Sequence, residues 1–132
     1  MPLITAWATL VCGLLCVALT FRVIDARRAS GVSLGDGGDE VLLRRMRGQG
    51  NANEQIPITL IALLVAEMVS GGGWLLAIFA ALFCAGRLAH GIAFGWTLHN
   101  QPLRFFGTIA SLLGSLAILG YLVVYLFIGS ST

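Results

Sequence analysis

Four long apolar runs divide this chain, separated by short polar or glycine-rich breaks. The first extends from about Leu3 to Val23, enough helix to cross a hydrocarbon core of about 30 Å. Ser30-Gly31-Val32-Ser33-Leu34-Gly35-Asp36-Gly37-Gly38 then reads as a loop, since glycine and aspartate favour turns. Asp39 is placed to cap a second helix, and Glu40 to sit in its first turn, where the helix dipole favours a negative charge. That helix is expected from about Glu40 to Val69, yet its apolar part begins only at Ile56. Gly71-Gly72-Gly73 breaks it. A third helix follows from Trp74 to about Trp96, with a tryptophan at each end suited to the two membrane interfaces. In the connection Thr97-Leu98-His99-Asn100-Gln101-Pro102, Asn100 or Gln101 can cap and Pro102 suits a first turn. The fourth helix is expected from about Leu103 to Ile128.

Small residues recur along these helices and predict where neighbours approach closely. Ala8, Cys12, Cys16 and Thr20 form one stripe, Ala77, Ala81 and Ala85 a second, and Gly107, Ser111 and Ser115 a third.

Composition turns this pattern into a fold class. The chain has 132 residues, of which 58% are hydrophobic and 11% charged, with a mean hydropathy of +0.91. So few polar side chains cannot cover a soluble surface. The expectation is an all-α membrane protein, a single domain over residues 1–132 forming a four-transmembrane-helix bundle. A net charge of +2 with no basic stripe excludes nucleic-acid binding. The first run lacks the positive leader of a cleaved signal peptide. All eight basic residues are arginine. They concentrate in the first and third connections and their flanks, so the positive-inside rule predicts both termini outside and the polar connections in the cytoplasm. Cys12, Cys16 and Cys84 lie in apolar runs without disulfide or zinc spacing and read as packing residues.

The polar start of the second helix is the anomaly. Arg44, Arg47, Asn51 and Glu54 are spaced by three, four and three residues, and so share one helical face. A charge at mid-bilayer costs about 2.5–3.5 kcal/mol on the insertion scale, so this face should avoid lipid. Either it forms an internal salt-bridge network, Arg47–Glu54 or Glu54–Arg87, or it binds something. Pro57 should kink the helix beyond it. Glu67 is expected at the opposite interface. In the third helix, Arg87, His90 and Phe94 share a face. Arg104 opens the fourth helix, as a lipid anchor or as a cation beside a reactive anion. No metal site is expected, because His90 and His99 have no carboxylate or thiol at ligand spacing.

Three places together resemble the MAPEG family, membrane-associated proteins in eicosanoid and glutathione metabolism. They are Ala26-Arg27-Arg28-Ala29 with Val32-Ser33, then Arg47-x-Gln49-x-Asn51-x-x-Glu54-x-x-Pro57, and Arg87-x-x-His90 followed by Arg104. The Gly-Asp-Gly-Gly loop is most similar to small bacterial members. The resemblance implies a homotrimer in a bacterial inner membrane, with glutathione as co-substrate bound between subunits at the cytoplasmic side. By position, Arg27, Arg47, Gln49, Asn51 and Glu54 match residues that hold the tripeptide, and Gln55, Arg87, His90 and Phe94 complete the expected site. Gln55, His90 and Phe94 stand where better-known members often carry tyrosine. Arg104 matches the arginine that stabilises the thiolate, and Arg28 resembles a residue near the electrophile. The implied activity is a glutathione transferase, with peroxidase activity as a further expectation, acting on an apolar electrophile or lipid hydroperoxide drawn from the membrane lipids. The alternatives are a non-catalytic lipid-binding scaffold, as the family also contains, and a small transporter, which one-sided polar clustering disfavours.

Overall fold

The computed structural model describes residues 1–97 and 100–129. Leu98, His99 and the last three residues lie outside this range, and with them the reading of His99. The described chain is four helices: α1 (Leu3–Ser30), α2 (Glu40–Ser70), α3 (Trp74–Gly95) and α4 (Gln101–Gly129). Each is long and apolar enough to cross a membrane.

Local chemistry sets the ends. Asp39 accepts from the Leu42 amide at 2.8 Å and starts α2, and Asn100 accepts from the Leu103 amide at 3.0 Å and starts α4. The α2–α3 turn requires glycine, since Gly71, Gly72 and Gly73 all have positive φ. Helix α1 runs seven residues beyond the apolar run that ends at about Val23. Arginine and alanine are good helix formers, so loss of hydropathy at Asp25–Arg28 does not stop the helix; Gly31, at φ 68°, does. Pro57 lies inside an uninterrupted α2.

Helix α2 contacts all three other helices, whereas α1 and α4 do not touch among the described residues. Helices α3 and α4 meet backbone to backbone. A Cβ on Gly107 would fall 2.5 Å from the His90 amide nitrogen, and one on Gly114 would fall 2.6 Å from that of Phe83. Gly86 faces the Ser111 backbone in the same way. Ser115 and Thr59 join α4 to α2 by a 3.0 Å hydroxyl hydrogen bond. The expected α4 stripe is therefore an interface. The α3 stripe is not one within this chain, because Ala81 and Ala85 are exposed and Ala77 half-exposed. In α1, Ala8 and Cys12 are buried, but Thr20 is exposed. Large apolar side chains such as Leu14, Phe21, Ile61, Leu116 and Phe127 cover the outside, as lipid solvation demands.

Glu67 lies near the far end of α2, beside the start of α1. It is buried and accepts from the amides of Ile4 at 2.9 Å and Thr5 at 2.8 Å, and from the Thr5 hydroxyl at 2.7 Å. It thus caps α1 from a neighbouring helix, supplying what Pro2 lacks, and its charge suits the dipole there. Glu67→Ala leaves those donors facing an apolar bundle, at a cost of about 1–3 kcal/mol. Thermal unfolding should fall accordingly, and amide exchange should accelerate at Ile4 and Thr5 before the rest of α1.

Candidate functional site

Most of the arginines crowd the end of the bundle where α1 and α3 finish and α2 and α4 begin. Their hydrogen bonds sort them into two groups. Arg22 donates through Nε to the Gly95 carbonyl at 2.9 Å and lies over the Trp96 ring. Arg45 donates to the Arg22 carbonyl at 3.1 Å, and Arg44 to the Ala93 carbonyl at 3.0 Å. Arg27 donates to the carbonyls of Gly35 at 2.9 Å and Val32 at 3.4 Å, which ties the α1–α2 loop to α1. Arg87 is 1% exposed. Both its terminal nitrogens donate to Asn51 Oδ1 at 3.0 Å, and one also donates to Gln55 Oε1 at 3.1 Å. These five cations hold the fold together.

The second group makes no such bonds among the described residues. Arg47, Glu54 and Arg28 are exposed and, among the described residues, have no hydrogen bond or ion pair. The one ion pair there is Arg22–Asp25 at 3.7 Å. The expected internal salt bridge from Glu54 to Arg47 or Arg87 is therefore not made, and Arg87 takes two neutral amides instead. Arg104 is half-buried, and its guanidinium meets the Phe94 ring at 5.8 Å.

Two adjoining clefts collect Arg47, Glu54 and Arg104 but not Arg28. One, of about 370 Å³, is lined by Arg47, Gly50, Asn51, Glu54, His90 and Phe94. The next, of about 480 Å³, adds Arg104, Arg44, Glu40, Val41 and Leu43 to Arg47 and Phe94. Phe94 is the shared wall, with Arg44 5.3 Å from its centroid and the His90 ring at 4.8 Å. Gly48 lets it sit there: a Cβ at that position would fall 2.5 Å from Phe94 Cβ. Gly48→Ala should therefore push α2 from α3 and lower stability by about 1–3 kcal/mol, a shift readable by thermal unfolding.

Of the residues expected from sequence, Arg47, Asn51, Glu54, His90, Phe94 and Arg104 come together in one chain. Arg87 stands behind them, orients Asn51 and also donates to Gln55. Gln49 lies on the other side of α2, donating to Thr20 Oγ1 at 2.8 Å. Arg27 and Arg28 sit at the end of α1, outside both clefts. Sequence reasoning missed Gly48 as the contact point for Phe94, which only the α2–α3 crossing reveals. Buried His90 Nδ1 and Arg44 Nε have no hydrogen-bond partner among the described residues. Among the same residues, no cluster of ligating side chains could hold a metal.

The MAPEG family profile matches residues 5–124. The chain belongs to the MAPEG family. It is also similar to the protein named inner membrane protein YecN in two Escherichia coli strains, K12 and O6:H1 CFT073. Each match is 34% identical over 103 residues, covering 78% of this chain and 76% of the relative. With four apolar helices, these matches make this MAPEG protein a multi-pass integral membrane protein. The family includes glutathione transferases and peroxidases. Among the described residues, the charged side chains lining the clefts without a hydrogen bond or ion pair are Arg47, Arg104, Glu40 and Glu54.

Proposed function

We propose that this protein is a glutathione-dependent membrane transferase that also reduces lipid hydroperoxides, working as a homotrimer. The observation carrying this reading is that, among the described residues, the side chains of Arg47, Glu54 and Arg104 have no hydrogen bond or ion pair around the two clefts, while Arg22, Arg27, Arg44, Arg45 and Arg87 are committed to the fold. Leaving opposite charges apart on one helix face has no structural benefit. It suits a zwitterionic ligand.

In this reading Arg47 forks a glutathione carboxylate, Glu54 takes the ammonium, and Asn51, fixed by Arg87, bonds the peptide. His90 and Phe94 wall the thiol end, where Arg104 stabilises the thiolate. The sulfur attacks the electrophilic atom of an apolar substrate arriving from lipid, and the leaving group departs with its electron pair. With a hydroperoxide, two glutathiones yield the alcohol, water and glutathione disulfide. Gln49, Arg27 and Arg28 would join the site only across a subunit boundary, which is where a trimer places them in this proposal. The arginine-rich end faces the cytoplasm, the compartment of glutathione, with both termini outside.

Turnover of purified protein in nanodiscs tests this, with glutathione plus either 1-chloro-2,4-dinitrobenzene or cumene hydroperoxide. The reading predicts glutathione-dependent product, and a glutathione KM raised at least about tenfold in Arg47→Ala, as expected for a lost charge-assisted bond. Absence of turnover on both substrates would overturn it.

A further inference from the structure

A second reactive feature lies away from the arginine-rich end. Cys12 of α1 and Cys84 of α3 place their sulfurs 3.9 Å apart, the side chains meeting across the helix interface. Cys12 is fully buried at 0% exposure. Cys84 is half-buried and lines a cleft of about 310 Å³ with Leu3, Ile4, Trp7, Val11 and Ala81 among its walls. Every other residue lining that cleft is apolar. Cys84 lies ten residues from Trp74, about 15 Å along the helix at 1.5 Å per residue, so the cleft opens toward the bilayer interior. Solutes dissolved in lipid reach it more readily than aqueous ones.

We propose that Cys84 and Cys12 form a dithiol site that reduces an apolar hydroperoxide entering through this cleft, without glutathione. Cys84 sulfur attacks the terminal peroxide oxygen and the O–O bond breaks. The alkoxide takes the thiol proton and leaves as the alcohol, and Cys84 becomes a sulfenic acid. Cys12 sulfur then attacks the Cys84 sulfur. The S–O bond breaks, hydroxide leaves with the Cys12 proton as water, and a disulfide joins α1 to α3. The sum is hydroperoxide plus two thiols giving alcohol, water and one disulfide.

The geometry separates the two roles. Cys84 has access to the cleft, whereas Cys12 has access only to Cys84. The two sulfurs must close from 3.9 Å to a bond of about 2.05 Å. Cys16 is half-buried one turn from Cys12 and serves as the internal control.

The test uses the full chain in nanodiscs free of glutathione, treated with one equivalent of cumene hydroperoxide or, separately, hydrogen peroxide. Free thiols are then counted, and peptides mapped by mass spectrometry. The expected result is a fall from three free thiols to one, a Cys12–Cys84 linked peptide, and cumyl alcohol in equal amount. Cumene hydroperoxide should react at least about tenfold faster than hydrogen peroxide. Cys16→Ser should behave as wild type, Cys84→Ser should form no alcohol, and Cys12→Ser should accumulate a dimedone-reactive Cys84. Retention of all three thiols, oxidation centred on Cys16, or faster reaction with hydrogen peroxide would overturn the proposal. The wild-type peptide map decides the matter even if a serine variant fails to fold. Because glutathione is absent, neither outcome depends on the glutathione site.

Discussion

Replacing Arg104 by alanine is expected to remove the thiolate of bound glutathione while the tripeptide stays bound. A free thiol with a pKa near 8.5 is roughly 3% ionised at pH 7. A guanidinium about 4 Å away contributes about 4 kcal/mol at an effective dielectric near 20, or about three pKa units. That inverts the ratio, so Arg104→Ala should lower the thiolate population about thirtyfold. The ultraviolet difference absorbance of the bound thiolate measures this directly. Turnover at pH 7 should fall by a similar factor. The sign with pH is fixed by the same logic. A lowered thiol pKa lets wild-type rate level off by about pH 7, while the variant keeps rising toward about pH 9. An unchanged thiolate signal would remove Arg104 from the chemistry and direct attention to Arg28, the other arginine that resembles a catalytic residue.

Arg87→Ala should have the largest effect on stability. The side chain is almost fully enclosed and holds the amide oxygens of Asn51 and Gln55 through three contacts of 3.0–3.1 Å. An orphaned acceptor costs about 1–3 kcal/mol in a soluble core, but interhelical bonds in membranes average only about 0.6 kcal/mol. The membrane figure governs here, because an unpacked helix also finds partners. The larger part then comes from the cavity left by the arginine stem. Together they should lower stability by about 2–4 kcal/mol, read from unfolding in detergent. Arg87→Lys should recover only part, since an ammonium cannot fork two amides. Glutathione affinity should fall too, because Asn51 loses the group that orients it.

These two arginines show how far the sequence could be read. The four helices were legible because hydropathy and punctuation agree: glycine at 71–73, Asp39 and Asn100 at helix starts. The Arg47–Asn51–Glu54 face follows from spacing alone. Which arginines are free does not, since four of the five committed ones bind carbonyls of Arg22, Gly35, Ala93 and Gly95. Backbone acceptors leave no trace in residue identity. Glu67 did carry a signal: the antiparallel pairing of α1 and α2 brings the end of one beside the uncapped start of the other. The Ala77/Ala81/Ala85 stripe shows the reverse, small residues spaced for packing that this chain leaves open.

Everything proposed for the arginine-rich end depends on the charged face of α2 binding glutathione. Calorimetric titration of the purified protein with glutathione tests that most directly, with Glu54→Gln measured alongside. Saturable heat in the wild type, protection from thermal unfolding, and a loss of affinity of about tenfold in the variant are predicted. No heat and no protection in the wild type would contradict it, and would favour a lipid-binding scaffold.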